Sequence, residues 1–200
     1  MANTQTKFGF RHIGYLGGGA PDYQLSTGLI ASANTTKIFR GDPVIVATAS
    51  GKIQQAAGGV VTEIIRGIFD GCQYTPTGGI PQWSPFWNGG GASSDPIAYL
   101  IDAPNALFMA AALNTSIVTA NIGENVYFVI GTGNTTNGFS GATIDQSTLT
   151  TITTAPFKVV QPVTNSGNFG QIGNGGDPGT AYGWAIVAFN NQTNRIQLGA

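Results

Sequence analysis

Short runs of β-branched, aromatic and small apolar residues, each closed by Gly, Pro, Asn or Asp, follow one another along most of this chain. Runs of that kind with turn residues at their corners predict antiparallel strands joined by tight turns, not helices. The stretch 36–79 shows it best. Pro43 to Ala49 is a β-rich run opened by Gly41-Asp42-Pro43, and Ser50-Gly51 is a tight turn. Lys52 to Ala56 alternates polar and apolar residues and stops at Gly58-Gly59; Val60 to Phe69 is a third run, closed by Asp70-Gly71. Together they predict a small curled meander from which the rest of the chain hangs.

The same grammar continues downstream. Ile97 to Ile101, a turn at Asp102-Ala103-Pro104-Asn105 and a return over Ala106 to Ala112 predict a hairpin. Ala, Leu and Met in 106–113 also favour helix, but the run is too short for an isolated helix, so strand is preferred, with a short helix near Thr115 to Ala120 as sequel. Val126 to Ile130 predicts a strand, 131–138 a turn, Phe139 to Asp145 the return, and 146–154 a Thr/Ser-rich connection. Strands are also predicted over Phe157 to Val163, Tyr182 to Phe189 and Arg195 to Leu198, with a Gly- and Asn-dense loop over 164–180. A strand roughly every dozen residues is the spacing of a sandwich or barrel. The expected fold is all-β: a small antiparallel barrel or sandwich (tulip-like) with a second β lobe and an extended N-terminal arm. The core domain would be 37–79 with 156–200, the inserted or second lobe 80–155, and the arm 1–36.

Two segments outside this rhythm hold the candidate contact residues. The arm is broken by Gly17-Gly18-Gly19-Ala20-Pro21, yet carries Phe8, Phe10, Arg11, Tyr15, Leu16 and Tyr23. A polar disordered tail would lack such aromatics. They fit an arm that docks on another surface and equally one packed on its own domain; Tyr23 to Ile30 reads as a weak strand. The loop 80–94 is loaded with Trp83, Phe86 and Trp87. Tryptophan on a loop suits an interface anchor, and also a cap over the end of a small barrel.

Composition narrows the function classes. Charged residues are 8% of the chain, against about a quarter in an ordinary soluble domain. A surface covered by Gly, Thr, Ser, Asn and Gln has little colloidal repulsion and tends to associate. The net charge is −1 and no basic stripe exists, which disfavours nucleic acid as a partner. No apolar run approaches a membrane span, and MANTQTKFGFRH shows no secretory h-region. The single Cys72 excludes an internal disulfide.

Candidate chemistry is thin. His12 is the one histidine, so neither a Ser- or Cys-based nucleophile with a positioned base nor a nitrogen/sulfur zinc site is expected, and no cofactor is implied. The nine carboxylates are scattered, mostly at turns where they cap backbone amides. Arg40-Gly41-Asp42 spells an adhesion tripeptide but is also what a turn before Pro43 needs. Gly131-Thr132-Gly133 leads into a strand and not a helix, unlike a phosphate loop. The expectation is a protein that is not an enzyme.

Several ordered motifs point further. Ile38-Phe39-Arg40-Gly41-Asp42-Pro43-Val44 is followed by Gly67-Ile68-Phe69-Asp70-Gly71-Cys72-Gln73-Tyr74, then Pro85-Phe86-Trp87 before a glycine-rich loop. Next come Ala98-Tyr99-Leu100-Ile101-Asp102 with Pro104-Asn105 and Phe108, Ile122-Gly123-Glu124-Asn125, Gly138-Phe139-Ser140-Gly141, and Phe157-Lys158-Val159-Val160. In this order, over roughly 36–165, the chain is similar to the cement (head-decoration) proteins of tailed double-stranded DNA bacteriophages. Where some of those proteins have a second acidic residue after the 97–101 strand, this chain has Ala103. The resemblance implies a structural virion protein made in the host cytoplasm and placed on the outer capsid surface. There it would form a dimer or trimer, bridge major capsid protein subunits and hold the shell against internal DNA pressure. The alternative is a fibre or adhesin module that holds a glycan on Trp83, Trp87 or Tyr182.

Overall fold

The computed structural model describes residues 7–22, 24–59, 63–115, 117–163 and 182–193. The expected loop 164–180 and terminal strand 195–198 lie outside the described residues, as does Tyr23. The protein is all-β, as expected. One six-stranded sheet contains β1 (Arg11–Tyr15), β10 (Ala106–Ala111), β11 (Asn125–Val129), β12 (Thr143–Thr150), β13 (Phe157–Pro162) and β14 (Trp184–Phe189). Its order is β1-β10-β14-β13-β11-β12, antiparallel throughout. A second sheet contains β2 (Ser26–Leu29), β4 (Pro43–Val46), β5 (Ile53–Gln55), β6 (Gly67–Tyr74), β7 (Gln82–Ser84) and β9 (Ile97–Ile101). Its order is β2-β9-β6-β4-β5, with β7 also on β6. A ribbon of β3 (Ile38–Phe39) and β8 (Phe86–Trp87) completes the set. The sequence expectation of a short helix near 115–120 is met by one 3-10 turn at Thr119–Asn121.

Both sheets curl toward a lone parallel bridge: Ala112, just past β10, to Ile144 of the edge strand β12 in the first, and Ile30 to Ile53, at the two edge strands, in the second. Neither is closed by a ladder. The first curl encloses Phe10, Phe108, Phe128, Phe157 and Phe189; the second encloses Ile30, Val44, Ile53, Phe69, Cys72, Trp87 and Leu100. The two are built against a common wall. Ile68 of β6 and Ile101 of β9 point into the first core, while their neighbours Phe69 and Leu100 point into the second. That alternation is the period-two pleat of a strand with apolar surroundings on both faces.

Three local expectations are corrected. Asp70-Gly71 does not end a strand; it lies inside the eight-residue β6, where the register shifts between Phe69 and Gly71. The Asp70 carboxylate is taken by Arg40 Nε at 2.7 Å, and Gly71 occupies a bulge, so this dipeptide bends the strand instead of turning it. The turn comes later, where Gly79 N–H donates to Pro76 O. The 97–112 segment is not a hairpin either: β9 and β10 belong to different sheets. The intervening turn, with Ala106 N–H donating to Ala103 O, carries the chain from one to the other. It is fixed there by an Arg66–Asp102 ion pair and by Gln192, whose amide donates to the carbonyls of Arg66 and Asp102. Finally, the return after β11 begins at Thr143 and runs through the expected connection to Thr150. Residues 138–140 are engaged elsewhere, since Arg40 N–H donates to Gly138 O and Ser140 N–H to Arg40 O.

Sheet membership divides the chain at the 102–105 turn. Strands between 26 and 101 form the second sheet and the ribbon; strands between 106 and 189, with β1, form the first. The N-terminal segment is extended, but it lies on its own molecule, giving one edge strand to each sheet.

Candidate functional site: an open sheet face and a cleft

The bulge in β6 decides what the second sheet shows to solvent. In an unbroken strand, Phe69 and Cys72 would face opposite ways; the extra residue resets the alternation, so both enter the second core. On the other side, the face that begins with Ile68 and Ile101 under the first sheet continues outward. There the opposed residues are Leu29 with Ile97, Ile97 with Gln73, and Gln73 with Trp83. Beside that row, Thr27 opposes Tyr99 and Tyr99 opposes Gly71. Leu29, Ile97 and Trp83 are 48%, 39% and 55% exposed. One surface thus starts as a covered core wall and ends as an uncovered apolar row.

Trp83 is seated on Gly71. A Cβ at Gly71 would lie 2.7 Å from Trp83 Cζ2 and 3.0 Å from Cε2, so any larger residue displaces the ring. Polar pairs stand around it: Gln82 Nε2 donates to the Tyr74 hydroxyl at 2.8 Å, and the Tyr99 hydroxyl donates to Gln73 Oε1 at 3.1 Å.

A cleft of about 330 Å³ opens where the two sheets meet. It is lined by Phe8, Phe10, Arg11 and His12 from the lead-in and start of β1, by Arg40 and Gly41, by Ile68, Phe69 and Asp70 of β6, by Ile101, and by Phe139. The corner is set by Gly41, whose φ of 94° is available to glycine and whose carbonyl accepts from Phe10 N–H at 2.9 Å. Behind it, the fully buried Asp42 accepts from Phe39 N–H, from the Gln55 amide and from the Ser140 hydroxyl. Burial pushes the Asp42 carboxyl above the usual carboxylate range, and those three donors pull the other way. The Asp of the Arg-Gly-Asp sequence is therefore a knot inside the molecule, not an adhesive tip.

In the cleft, Arg40 and Asp70 form an ion pair. His12 Nε2 lies 3.1 Å from Gly14 O, and its Nδ1 is buried with no partner among the described residues. Burial lowers the His12 pKa, against the raising influence of Gly14 O and of Asp22 and Asp70. Neutral imidazole is thus the form at pH 7. Cys72 is buried in the second core, where desolvation pushes its thiol up to about 12, so it is no nucleophile.

The residues singled out from sequence are dispersed. Phe8, Phe10 and Arg11 meet in the cleft, but Phe10 is a core residue, stacked on Phe157 with ring centroids 4.4 Å apart. Phe8 meets Trp184 edge-on at 5.1 Å. Tyr15 is half-buried, its hydroxyl donating to Asp22, and Leu16 is exposed beyond the end of β1. The two tryptophans divide: Trp83 is on the open face, while Trp87 is fully buried with its indole N–H on Asn34 O at 3.0 Å. Tyr182, the remaining glycan candidate, is half-buried. Sequence reading missed Leu29 and Ile97 as exposed partners of Trp83, and His12, Arg40, Asp70 and Phe139 as cleft residues. The pattern Ile97-Ala98-Tyr99-Leu100 did carry a signal, since alternation puts Ile97 and Tyr99 on one face and the core residues on the other.

Compared with known proteins, the chain matches no family model, and neither a curated protein nor a solved structure matches it.

Proposed function

We propose that this chain is a non-enzymatic structural protein that decorates the outer surface of a tailed-bacteriophage head and bridges major capsid protein subunits as a small homo-oligomer. The sequence motifs between 36 and 165 support that reading. The observation that carries it is the open face of the second sheet, an uncovered Leu29–Ile97–Trp83 row with the indole held on a glycine seat. An exposed tryptophan is the residue type that dominates protein interfaces. The 8% charge content fits a surface meant to be covered. Repeated over a shell, weak single contacts sum to firm attachment.

The test is attachment to heads that lack this protein. Wild-type chain should co-sediment with them, and Trp83→Ala should bind about 30-fold or more weakly, the effect of losing a hot-spot residue worth about 2 kcal/mol. Full occupancy by Trp83→Ala would overturn the docking face, and indifference of the wild type to heads would overturn the function.

A second reading rests on the same indole. Trp83 flanked by the Gln82–Tyr74 and Gln73–Tyr99 pairs offers a ring face beside amide and hydroxyl groups, the set a fibre or adhesin module uses for a sugar ring. Quenching or enhancement of Trp83 fluorescence by soluble glycans, with no binding to heads, would favour it.

A further inference from the structure

We infer that the cleft between the sheets is a binding site for an organic monocarboxylate carrying an aromatic or branched aliphatic group. The inference does not rest on the decoration reading, because it concerns a different surface. Two arginines, Arg11 and Arg40, line the cleft against one aspartate, Asp70, an excess of one positive charge among the lining residues. That excess sits in a chain whose net charge is −1. Arg40 spends only Nε on Asp70, so its two terminal nitrogens have no partner among the described residues. The Arg11 side chain has no ion pair or hydrogen bond among them. Such donors favour a carboxylate, to which an arginine presents paired N–H groups.

The rest of the lining is apolar. Phe8 and Phe139 offer ring surface at the cleft, and Phe139 is 43% exposed. A cleft of about 330 Å³ is at the small end of the ligand range of roughly 300–1,000 Å³. It admits one ring or branched chain with its acid group and little more. A polyphosphate fits poorly, since one excess positive charge would face several negative ones. His12, kept neutral by burial, adds no charge that would change this balance at pH 7.

The experiment is an NMR titration of the full ¹⁵N-labelled chain with 3-phenylpropionate, 3-phenylpropionamide and inorganic phosphate. The acid should shift the amides of Phe10, Arg11, Gly41 and Asp70 and the Arg40 Nε–H signal. The amide should bind at least about tenfold more weakly, a difference of about 1.4 kcal/mol, and phosphate should not compete. Arg11→Gln, at an exposed strand position, should weaken the acid by a similar factor while leaving the remaining spectrum in place; Phe139→Ala should weaken it without altering the preference for acid over amide. Equal binding of acid and amide, an unchanged affinity in Arg11→Gln, or shifts mapping elsewhere would each overturn the site. Phosphate competing as well as the acid would overturn the need for an apolar group. The blocked peptide N-acetyl-Gly-Phe-Glu-Gly-amide distinguishes the sources: tighter binding than the free acid identifies an acidic segment of a protein, weaker binding a small metabolite. Trp83→Ala, which tests the decoration reading, should leave this titration unchanged.

Discussion

The two curled sheets reach similar shapes with different interiors. The first is packed by phenylalanine: Phe10, Phe108, Phe128, Phe157 and Phe189 form a chain of stacked and edge-on contacts with centroids 4.4–6.2 Å apart. The second is packed mainly by aliphatic chains, with one thiol, a single phenylalanine (Phe69) and Trp87, whose indole N–H needs and finds a carbonyl. The outer sides differ as well. The continuation of the common wall past Ile68 and Ile101 leaves the second sheet with the open Leu29–Ile97–Trp83 row. The contrast teaches that the open face, proposed above as a docking surface, is cut from the same surface as the internal seam. Making the two cores share the wall of β6 and β9 is what leaves the far half of that surface uncovered.

The comparison can be broken from either core. Phe157→Ala in the first and Trp87→Ala in the second should each cost about 3–5 kcal/mol, read as a shift of the denaturant midpoint. Because Ile68 and Phe69 are neighbours facing opposite cores, both variants should unfold in one transition. Two resolved transitions in either variant would show that the halves are independent.

Asp42 tests the knot that ties the ribbon corner to the 138–140 segment. Asp42→Ala strands the Phe39 N–H and the Gln55 and Ser140 side chains, and should cost about 1–3 kcal/mol. Its pH signature has a definite sign. Asp42 has a folded pKa above the unfolded value of 3.8. Its contribution is therefore fullest below that value and is lost as pH rises through the folded pKa. Asp42→Asn should remove that portion of the pH dependence of the midpoint. His12 works oppositely: with its folded pKa below 6.5, its contribution is present above 6.5 and lost as pH falls through the folded value.

Cys72 sharpens the comparison without a mutation. Its thiol lies in the second core with a pKa of about 12, so it reacts with a disulfide reagent only after opening. If the cores share one wall, the labelling rate should follow global unfolding. Labelling far faster than global unfolding would mean that the second core opens alone. The smallest effect is expected on the open face, where Ile97→Thr should change stability by no more than about 0.5 kcal/mol and, under the decoration proposal, weaken head attachment.

Much of the architecture was legible in the chain. The runs 97–101, 126–130 and 157–163 fall on strands within a residue of their ends, because β-branched and aromatic residues there are bounded by turn residues. What failed were inferences from one residue type with two uses. Asp70-Gly71 has the composition of a turn, but only Arg40 and Trp83, distant in sequence, make it a bulge. Asp102 to Asn105 reads as a hairpin corner, but the partners of Arg66 and Gln192 make it a crossing between sheets. The site was less legible still. Trp83 and Trp87 are four residues apart in similar company, and strand pairing alone sends one outside and the other in. Cleft residues from five distant segments carried no common signal.

The order of strands in the first sheet has a further consequence during synthesis. β1 lies beside β10, and β10 beside β14, so residues 11–15 find their neighbour only after 106–111 is made, and that neighbour is flanked only after 184–189. Pairings so remote are slow to form, since long loops must close before any contact rewards them. Phe8 and Phe10 therefore emerge from the ribosome long before their ring partners Trp184 and Phe157 exist. A nascent chain of this kind spends most of its elongation with its front end sticky and unmatched.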